Sequence, residues 1–445
     1  MTNKPLVISC ALAMVFLTGC SVAHKATRPM PTPSIVKEHV TKEEKTKSKN
    51  SAVTDTLLML DAISQALKSN PELQVFLTEI KAREVRTLQE SLLPNPELDF
   101  ELENFAGSGP LGGFKSSETT LAIGQLLELG GKRAKRTKVA ALQSDLALWR
   151  YEIKRLQIIT RVRSNFTHLL LAQRKLDLGR RLVGLSQIFK ANIDTLVQAG
   201  RLSRAESARA QVELSNRKLT LQKNARELKN AQRKLAATWG SGRVDFTAVK
   251  GDLGSIKTMP KAEIVQWSLE NSPVIIEQKA VIKMQKAKTE LANALAVPDL
   301  GIRVGYRRFN EIDDQALVAG LSIPLTVFDR NQGGKQEAQL RELQSEQHLF
   351  SLQNGIRTGI NNQLETIRTI SEEIETMKNI IIPEAQNAYD IIQQNYRLGK
   401  YALIDVLDAQ RQLFDVQGRY LDALGEIKLE IIRLEGLLGQ SLDSL

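Results

Sequence analysis

The chain has 445 residues, a formal net charge of +11, and a composition that is 42% hydrophobic, 25% charged and only 5% aromatic. This length allows two or three domains, and the shortage of aromatic residues favours long helices over a compact mixed core. The positive charges are scattered along predicted helices, which is typical of solvated helix faces. With only two cysteines, Cys10 and Cys20, the composition excludes a disulfide framework and a thiolate metal site.

The N-terminus is predicted to be a targeting segment. Lys4 precedes an apolar run, Leu6–Leu17, which is too short to span a bilayer as a helix. The run ends in Leu17-Thr18-Gly19-Cys20, which resembles a bacterial lipoprotein cleavage box. We therefore expect residues 1–19 to be a signal peptide and Cys20 to be lipidated. By resemblance to such lipoproteins, a serine rather than an aspartate at position 21 favours the outer membrane. The alternative is an ordinary secretory signal followed by a chance cysteine. Export in either form argues against nucleic acid as a partner.

The sequence after the signal peptide, up to about residue 235, predicts helices on either side of a pair of strands. Residues 20–53, rich in Lys, Thr, Ser and Pro, predict a lipidated flexible tether. Thr54 or Asp55 would then cap the first helix. In chain order the predicted elements are a helix to about Leu93 interrupted at Asn70-Pro71, strands at Leu98–Glu103 and Glu118–Leu127, a turn at Gly130-Gly131, a helix from Lys132 to about Val197, a turn at Gly200, and a return helix with leucines at 214, 221, 228 and 235. The long helix would extend about 100 Å and so needs lateral partners.

Four landmarks of this plan recur later in the chain at offsets of 199 to 203 residues. They pair Asn70-Pro71 with Asn271-Ser272-Pro273, Pro96-Glu97-Leu98 with Pro298-Asp299-Leu300, Gly130-Gly131-Lys132 with Gly333-Gly334-Lys335, and Gly200 with Gly399. A common register of four landmarks predicts a duplication, with residues 54–250 as the first structural repeat and 251–445 as the second, each made of a helix, two strands and two helices. The second repeat adds a loop at Gly240–Pro260, strands at Leu300–Tyr306 and Gln315–Val327, and a last helix with a seven-residue apolar spacing at 406, 413, 420, 427 and 434.

The predicted fold class is therefore mainly α with a small β part, built from long coiled-coil helices and two β-hairpins per chain. Strands of roughly ten residues are near the length that crosses a bilayer in a tilted barrel. Four strands cannot close a membrane barrel, since small barrels begin at about eight strands, so several copies would have to share one barrel. The alternation alone also fits a soluble sheet. The export signal, the duplication and the long helices together favour the membrane interpretation.

Two matching stretches carry a family resemblance: LVQAGRLSRAESARAQVEL at Leu196–Leu214 and YRLGKYALIDVLDAQRQLF at Tyr396–Phe414. With the repeated plan, they make the chain similar to outer-membrane efflux proteins of the TolC family, and in particular to its CzcC-like lipoprotein members. The resemblance covers about residues 54–437. It implies a homotrimer in which a 12-stranded outer-membrane β-barrel continues into a periplasmic α-helical barrel. It also implies a periplasmic adaptor (membrane fusion) protein, an inner-membrane efflux pump of the RND type, and outer-membrane lipid as partners.

The resemblance assigns roles to the two tips. The helix turns would lie at the periplasmic end and contact the adaptor through Gly200, Arg201, Leu202, Ser203, Gly399, Lys400 and Tyr401. Asp405, Asp408 and Glu206 would form an acidic ring at the entrance, where repeated carboxylates attract cations. Tyr396 matches a tyrosine of the family's closing contacts, with Glu206 as its candidate partner; Tyr401 stands where the best-known member has an arginine. The structural alternative is that these acids only complement a helix dipole or a nearby lysine.

The sequence contains no nucleophile–base motif, phosphate loop or metal-ligand cluster, and its histidines are scattered. We therefore expect no enzyme activity, no cofactor and no resident metal. The preferred function is the exit duct of a tripartite efflux system, with metal cations, drugs and polypeptides as open substrate classes. The alternative is a non-channel periplasmic lipoprotein, either an adaptor or a coiled-coil spacer. An adaptor would have one hairpin and several short-strand domains, whereas this chain predicts two hairpins and four strands.

Overall fold

The computed structural model describes residues 56–254 and 263–442, and these residues are mainly helical, with a small sheet. The predicted signal peptide, tether and lipidated Cys20 lie outside them. In chain order the elements are β1 (Thr56–Leu57), α1 (Met59–Ser69), α2 (Pro71–Ser91), β2 (Glu97–Glu103), β3 (Glu118–Leu127), α3 (Lys132–Gln198), α4 (Arg204–Ala237), β4 (Ala248–Val249), α5 (Glu263–Asn271), α6 (Pro273–Leu295), β5 (Leu300–Phe309), β6 (Asp314–Ser322), α7 (Gln332–Thr376), α8 (Ile382–Arg397) and α9 (Leu403–Leu438). A π-helical turn, Met377–Ile381, joins α7 to α8.

The four predicted strands form one antiparallel sheet in the order β2-β3-β5-β6. Its centre is the pairing of β3 with β5, which joins strands that are far apart in the chain. Because side chains alternate across a pleated strand, the register places Phe100, Leu121, Tyr306 and Leu317 in one row on the same face. The acids of β2 lie on the opposite face, together with Arg303 and Arg307 of β5. The predicted two-sided character of these strands is thus confirmed.

The long helices pack side by side, as their length requires. Helix α3 has 67 residues, so it is about 100 Å long. It contacts α2, α4, α6 and α9, and the largest buried cluster includes residues of α3, α4, α7 and α9. The fully buried members of this cluster include Ile158, Val162, Phe166, Leu169, Leu235, Ile360, Ile367, Ile374, Ile427 and Leu434. None of the helices in the two described ranges is both long enough and apolar enough to cross a membrane.

The predicted helix break at Asn70-Pro71 is confirmed and has a specific cause. Asn70 caps α2: its Oδ1 atom accepts hydrogen bonds from the backbone N–H groups of Glu72 (2.8 Å) and Leu73 (3.3 Å). Its Nδ2 atom donates to the carbonyl oxygen of Thr238 at 2.7 Å, just beyond the end of α4. At the matching break, Ser272 precedes Pro273, and its hydroxyl donates to the Leu437 carbonyl oxygen at 3.3 Å. Each break therefore forms a hydrogen bond with the C-terminal end of another helix, α4 in the first half and α9 in the second.

Three predicted boundaries are wrong. The first helix begins at Met59 without a side-chain cap, because Thr56–Leu57 instead pairs in parallel with Ala248–Val249, inside the stretch predicted to be a loop. The last strand ends at Ser322 and not near Val327, since Pro324 has no N–H group to continue the ladder.

The third wrong boundary is the predicted turn at Gly333-Gly334. Both glycines lie inside α7, and the left-handed residue before the helix is Asn331, with φ of 55°. In the first half Gly131, with φ of 69°, has that position before α3. Asparagine is among the few residues other than glycine that adopt this conformation readily. The glycine pair therefore did not mark the start of α7 correctly.

Candidate functional site at the helical tips

Both predicted turns close in the same way. Gly200 and Gly399 have φ of +71° and +74°, and no atom of the structure approaches the place of a Cβ atom at either position. Their N–H groups donate to the carbonyl oxygens of Val197 (3.0 Å) and Tyr396 (2.9 Å), three residues earlier. The following residues donate to the carbonyl oxygens five residues earlier, Arg201 to Leu196 and Lys400 to Asn395. This is the Schellman arrangement, which needs a left-handed residue and therefore favours glycine at each turn.

The helices that leave the two turns begin with an acidic residue at the third position. The Oε2 atom of Glu206 accepts a hydrogen bond from the Ser203 N–H group at 3.0 Å. The Oδ2 atom of Asp405 accepts one from the Ala402 N–H group at 2.9 Å. Two of the three predicted entrance acids are therefore tied to helix N-termini, where a carboxylate is stabilised by unpaired N–H groups and the helix dipole.

The tertiary fold brings the two turns to one end of the helical layer. An apolar cluster contains Phe189 and Ile193 from α3, Ala210 from α4, and Leu403, Val406 and Leu407 from α9. Leu202 of the first turn and Tyr396 before the second pack against this cluster. The residues that the sequence assigned to separate tips are thus neighbours within one chain. Tyr401, after the second turn, is exposed.

Asp408 differs from the other two acids because its side chain is exposed and makes no backbone contact. Its Oδ1 atom lies 3.3 Å from Nη1 of Arg411, one turn further along α9. Arg411 in turn lies 3.7 Å from the buried Glu213 of α4, which also pairs with Arg217 at 2.6 Å. The sequence does not predict this charged link between α4 and α9 as a whole, because the two helices are far apart in the chain. Only the i,i+4 spacing of Glu213 and Arg217 indicates part of it.

Tyr396 does not hydrogen-bond to Glu206 within the chain. Its hydroxyl is buried and has no hydrogen-bond partner. Burial raises the pKa of the Tyr396 hydroxyl, and the negative charge of Glu206 raises it further, so the two side chains are close although they are not bonded. Glu206 instead bonds to Ser203. A closing contact between Tyr396 and Glu206 would therefore have to form between copies or after a rearrangement.

The tip region shows no arrangement for metal coordination. Across residues 56–254 and 263–442, no group of three or more His, Cys, Asp or Glu side chains is placed to hold a metal ion. The two acids nearest the tips are engaged with backbone N–H groups, and Asp408 is paired with arginine. The arrangement therefore holds Glu206 and Asp405 at defined positions on helix N-termini and leaves Asp408 on an exposed helix surface.

The chain is similar to known proteins over most of its length. The sequence model of the family described as outer membrane efflux protein matches residues 62–241 and again 264–440. The chain is 30% identical over 385 residues to the cobalt-zinc-cadmium resistance protein CzcC of Cupriavidus metallidurans, covering 85% of this chain and 89% of that protein. It is 22% identical to the nickel-cobalt-cadmium resistance protein NccC of Alcaligenes xylosoxydans, with 61% of each chain covered.

Solved structures agree on the fold. The chain is similar to the CmeC outer-membrane channel of Campylobacter jejuni, with a TM-score of 0.71, 15% identity, and coverage of 89% of this chain and 90% of that one. It is also similar to a membrane protein from Pseudomonas aeruginosa, with a TM-score of 0.74, 16% identity, and coverage of 90% and 98%. The matched family is one of transport proteins and not of enzymes. Two family matches that together cover most of the chain show that it belongs to the outer membrane efflux protein family.

Proposed function

We propose that this chain is the outer-membrane exit duct of a tripartite efflux system that removes divalent metal cations. In this role it receives substrate from an inner-membrane pump of the RND type through a periplasmic adaptor. Membership of the outer membrane efflux protein family supports the duct. The choice of substrate rests on the relatives named for resistance to cobalt, zinc, cadmium and nickel. Cys20 would carry the lipid anchor in the outer membrane.

The observation that carries the proposal is the two-sided sheet. On one face, large apolar side chains are exposed, among them Leu98 at 70%, Phe100 at 67%, Leu317 at 84% and Leu321 at 74%. A soluble protein seldom exposes so many apolar side chains together. We assign this face to lipid.

The opposite face is charged and internally paired. Arg303 lies 3.0 Å from Glu101, and Arg307 lies 3.0 Å from Glu103 and 2.9 Å from Glu118. Charged side chains of a membrane sheet face water and not hydrocarbon, because burying an ion in lipid is costly. We therefore assign this face to a water-filled lumen.

The edges of the sheet support a shared barrel. The strand order leaves one side of β2 and one side of β6 unpaired within the chain. Unpaired backbone groups are not tolerated in lipid, so β2 of one copy would pair with β6 of the next. Three copies joined in this way give the 12-stranded barrel of a homotrimer. The apolar side chains exposed on the outer helices, such as Leu88 of α2 and Phe350 of α7, would be covered in the same assembly.

The remaining assignments follow from this arrangement. We propose that residues 54–250 and 251–445 are two structural repeats, an interpretation supported by the two separate family matches and by the same order of elements in each half. The turn residues at 200–203 and 399–401 would meet the adaptor at the periplasmic end. Glu206, Asp405 and Asp408 would give the entrance its negative potential, with Tyr396 packed behind them.

The test is conductance of the purified lipidated protein in planar bilayers, together with cross-linking of the same sample. We expect a cross-linked trimer and discrete channels that prefer cations. In cells, deletion of the gene should lower tolerance to zinc, cobalt or cadmium, and the wild-type gene should restore it. A monomer without channels, from a sample whose circular dichroism shows the expected helices, would contradict the duct. Channels with unchanged metal tolerance in the deletion strain would contradict only the proposed substrate.

A further inference from the structure

Helix α4 carries a row of basic side chains on its exposed surface. Four cations and one glutamine follow each other at steps of three or four residues, and all five side chains are exposed. They define the basic stripe: Lys218, Gln222, Arg226, Lys229 and Arg233. The stripe extends over about 22 Å of the helix. It lies on a different side of α4 from the leucines at 214 and 235, which are buried.

The chain itself does not neutralise the basic stripe. Elsewhere on the same helix Arg217 pairs with Glu213 at 2.6 Å, and Lys223 pairs with Glu227 at 3.9 Å. By contrast, none of the carboxylates in residues 56–254 and 263–442 forms an ion pair with the stripe. The acids of α4, at 206, 213 and 227, lie on the opposite side of the helix by their spacing. The neighbouring loop leaves the balance unchanged, because it exposes two basic and two acidic side chains: Arg243, Lys250, Asp245 and Asp252.

The stripe lies beside the small strand pair β1–β4, which marks one side of the helical layer. Gln232, the neighbour of Arg233, donates a hydrogen bond to the Thr247 carbonyl oxygen at 2.9 Å. Gln173 of α3 bonds both backbone groups of Val249, at 2.7 and 3.1 Å. The strand pair and its loop therefore pack on this side of α3 and α4. In the proposed duct the helices surround a lumen, which one such protrusion from each copy would obstruct. This side is therefore the outside of the tunnel.

The stripe is also far from the membrane. Helix α3 begins at Lys132, next to the sheet. Hydrogen bonds join its Asn165 to the Lys234 carbonyl oxygen at 3.3 Å, and Asn224 of α4 to the Lys175 carbonyl oxygen at 3.0 Å. At about 1.5 Å per residue, these contacts lie about 50 and 65 Å along α3 from the sheet. Salt screens charges beyond about 10 Å, so anionic lipid headgroups do not reach the stripe.

The composition of the stripe favours a flexible polyanion over a folded protein as its partner. Interfaces between proteins depend on a few aromatic or aliphatic anchors in buried pockets, whereas the stripe offers lysine, arginine and glutamine. An exposed leucine, Leu219, lies at its edge but stands singly. A polyanion binds through many weak charge contacts that release counterions, which requires a row of cations and no apolar pocket. In the periplasm, peptidoglycan is an extended polymer with free carboxylates on its peptides.

We propose that the basic stripe of α4 binds the carboxylates of peptidoglycan where the duct crosses the cell wall. The contact would hold the helical tunnel at a fixed height in the wall. This inference rests on the proposed duct function for the position of the stripe on the outside of the tunnel. Binding itself needs no conduction, so the two can be tested separately.

The experiment measures cosedimentation of the full lipidated protein with purified, protein-free peptidoglycan sacculi. It compares two triple variants of α4 that remove the same charge from exposed positions. The stripe variant carries Lys218→Gln, Lys229→Gln and Arg233→Gln; the control carries Arg209→Gln, Lys223→Gln and Lys234→Gln, on the opposite side of the helix. At about 0.1 M salt we expect the stripe variant to bind about tenfold more weakly than wild type, because three individually weak contacts are lost together. The control should bind like wild type, and circular dichroism should show the same helix content in all three proteins.

Two further measurements identify the partner. Sacculi whose carboxyl groups have been amidated should not retain the wild-type protein, and binding to untreated sacculi should fall as the salt concentration rises. Unchanged binding of the stripe variant would overturn the proposal. Equal loss in both triple variants would also overturn it, since net charge alone would then explain retention.

Two outcomes separate this inference from the alternatives. If the stripe variant still binds sacculi but no longer forms a complex with the adaptor, the stripe belongs to an acidic protein partner and the proposal is wrong. If a sample binds sacculi through the stripe but forms no channels in planar bilayers, the result supports the stripe and contradicts the duct.

Discussion

Lys132, the first residue of α3, forms an ion pair of 2.7 Å with Oδ1 of Asp299, which immediately precedes β5. The same oxygen accepts a hydrogen bond from the Leu129 N–H group at 2.9 Å. The pair joins the start of the long helix to the residue before a strand, 167 residues later in the chain, at the junction between the helices and the sheet. Only 8% of the Lys132 side chain is exposed, so its ammonium group depends on this partner.

Asp299→Ala should destabilise this junction. The substitution leaves a largely buried ammonium group unpaired, which costs about 3 kcal/mol of unfolding free energy and lowers the apparent Tm by several degrees. The control is Lys138→Ala, which breaks an ion pair with Glu290 in which both side chains are about half exposed. Such surface pairs contribute about 1 kcal/mol or less. Equal Tm changes in the two variants would show that burial does not strengthen the Lys132–Asp299 pair.

The contribution of Glu72 to thermal stability should depend on pH in the acid range. Hydrogen bonds from Arg161 and Lys154 lower the pKa of this carboxyl from 4.5 to about 2. A carboxyl with a lowered folded-state pKa contributes stability above its unfolded pKa and loses it as the pH falls through the folded value. The Tm difference between wild type and Glu72→Gln should therefore be constant at neutral pH and shrink between about pH 4.5 and 2. Because Glu72 is partly exposed, solvent screening limits the contribution to about 1 kcal/mol. A difference that persists at pH 2 would contradict the assignment.

Asn70→Ala should weaken the attachment between α2 and the end of α4. The variant loses the cap of α2 and the buried bond to the Thr238 carbonyl oxygen, so we expect a loss of about 2 kcal/mol in unfolding free energy. Ser272→Ala is the matched control in the second half, because Ser272 makes no capping bond and only a 3.3 Å contact with Leu437. Thermal unfolding followed by circular dichroism measures both. The prediction fails if Ser272→Ala is the more destabilised variant.

Substitutions of Asp405 and Asp408 should differ in their effects on thermal stability and on cation selectivity. The Asp408 side chain is exposed and pairs with the Arg411 side chain, not with a backbone N–H group. Asp408→Asn should therefore lower the cation preference of the channel and leave the Tm unchanged. Asp405→Ala should lower both, since it also removes a helix cap worth about 1 kcal/mol. Glu372→Gln, an exposed acid on α7 far from the tips in the chain, is the control for both measurements. Reversal potentials in a salt gradient report the preference. If Asp408→Asn leaves them unchanged, Asp408 is an ordinary helix-surface residue.

Local sequence signals were sufficient for most of the elements. Gly200 and Gly399 marked the turns because a left-handed residue is needed there, and alternation in β2 and β5 marked the two faces of the sheet. The same signals failed at Gly333-Gly334, since Asn331 also tolerates a positive φ and took the position before α7. They also failed at Thr56–Leu57, which is too short to show a period and becomes a strand through its pairing with Ala248–Val249.

The sequence by itself determined the mainly helical class, the helical tips and the family, because glycine turns, heptad spacing and the two matching tip stretches are local patterns. Only the tertiary structure decided what each candidate residue touches. It tied Glu206 and Asp405 to helix starts and left the Tyr396 hydroxyl buried without a partner. The physical reason is that helical spacing tells which residues share a face, whereas the neighbour of that face is chosen by packing between segments about 200 residues apart.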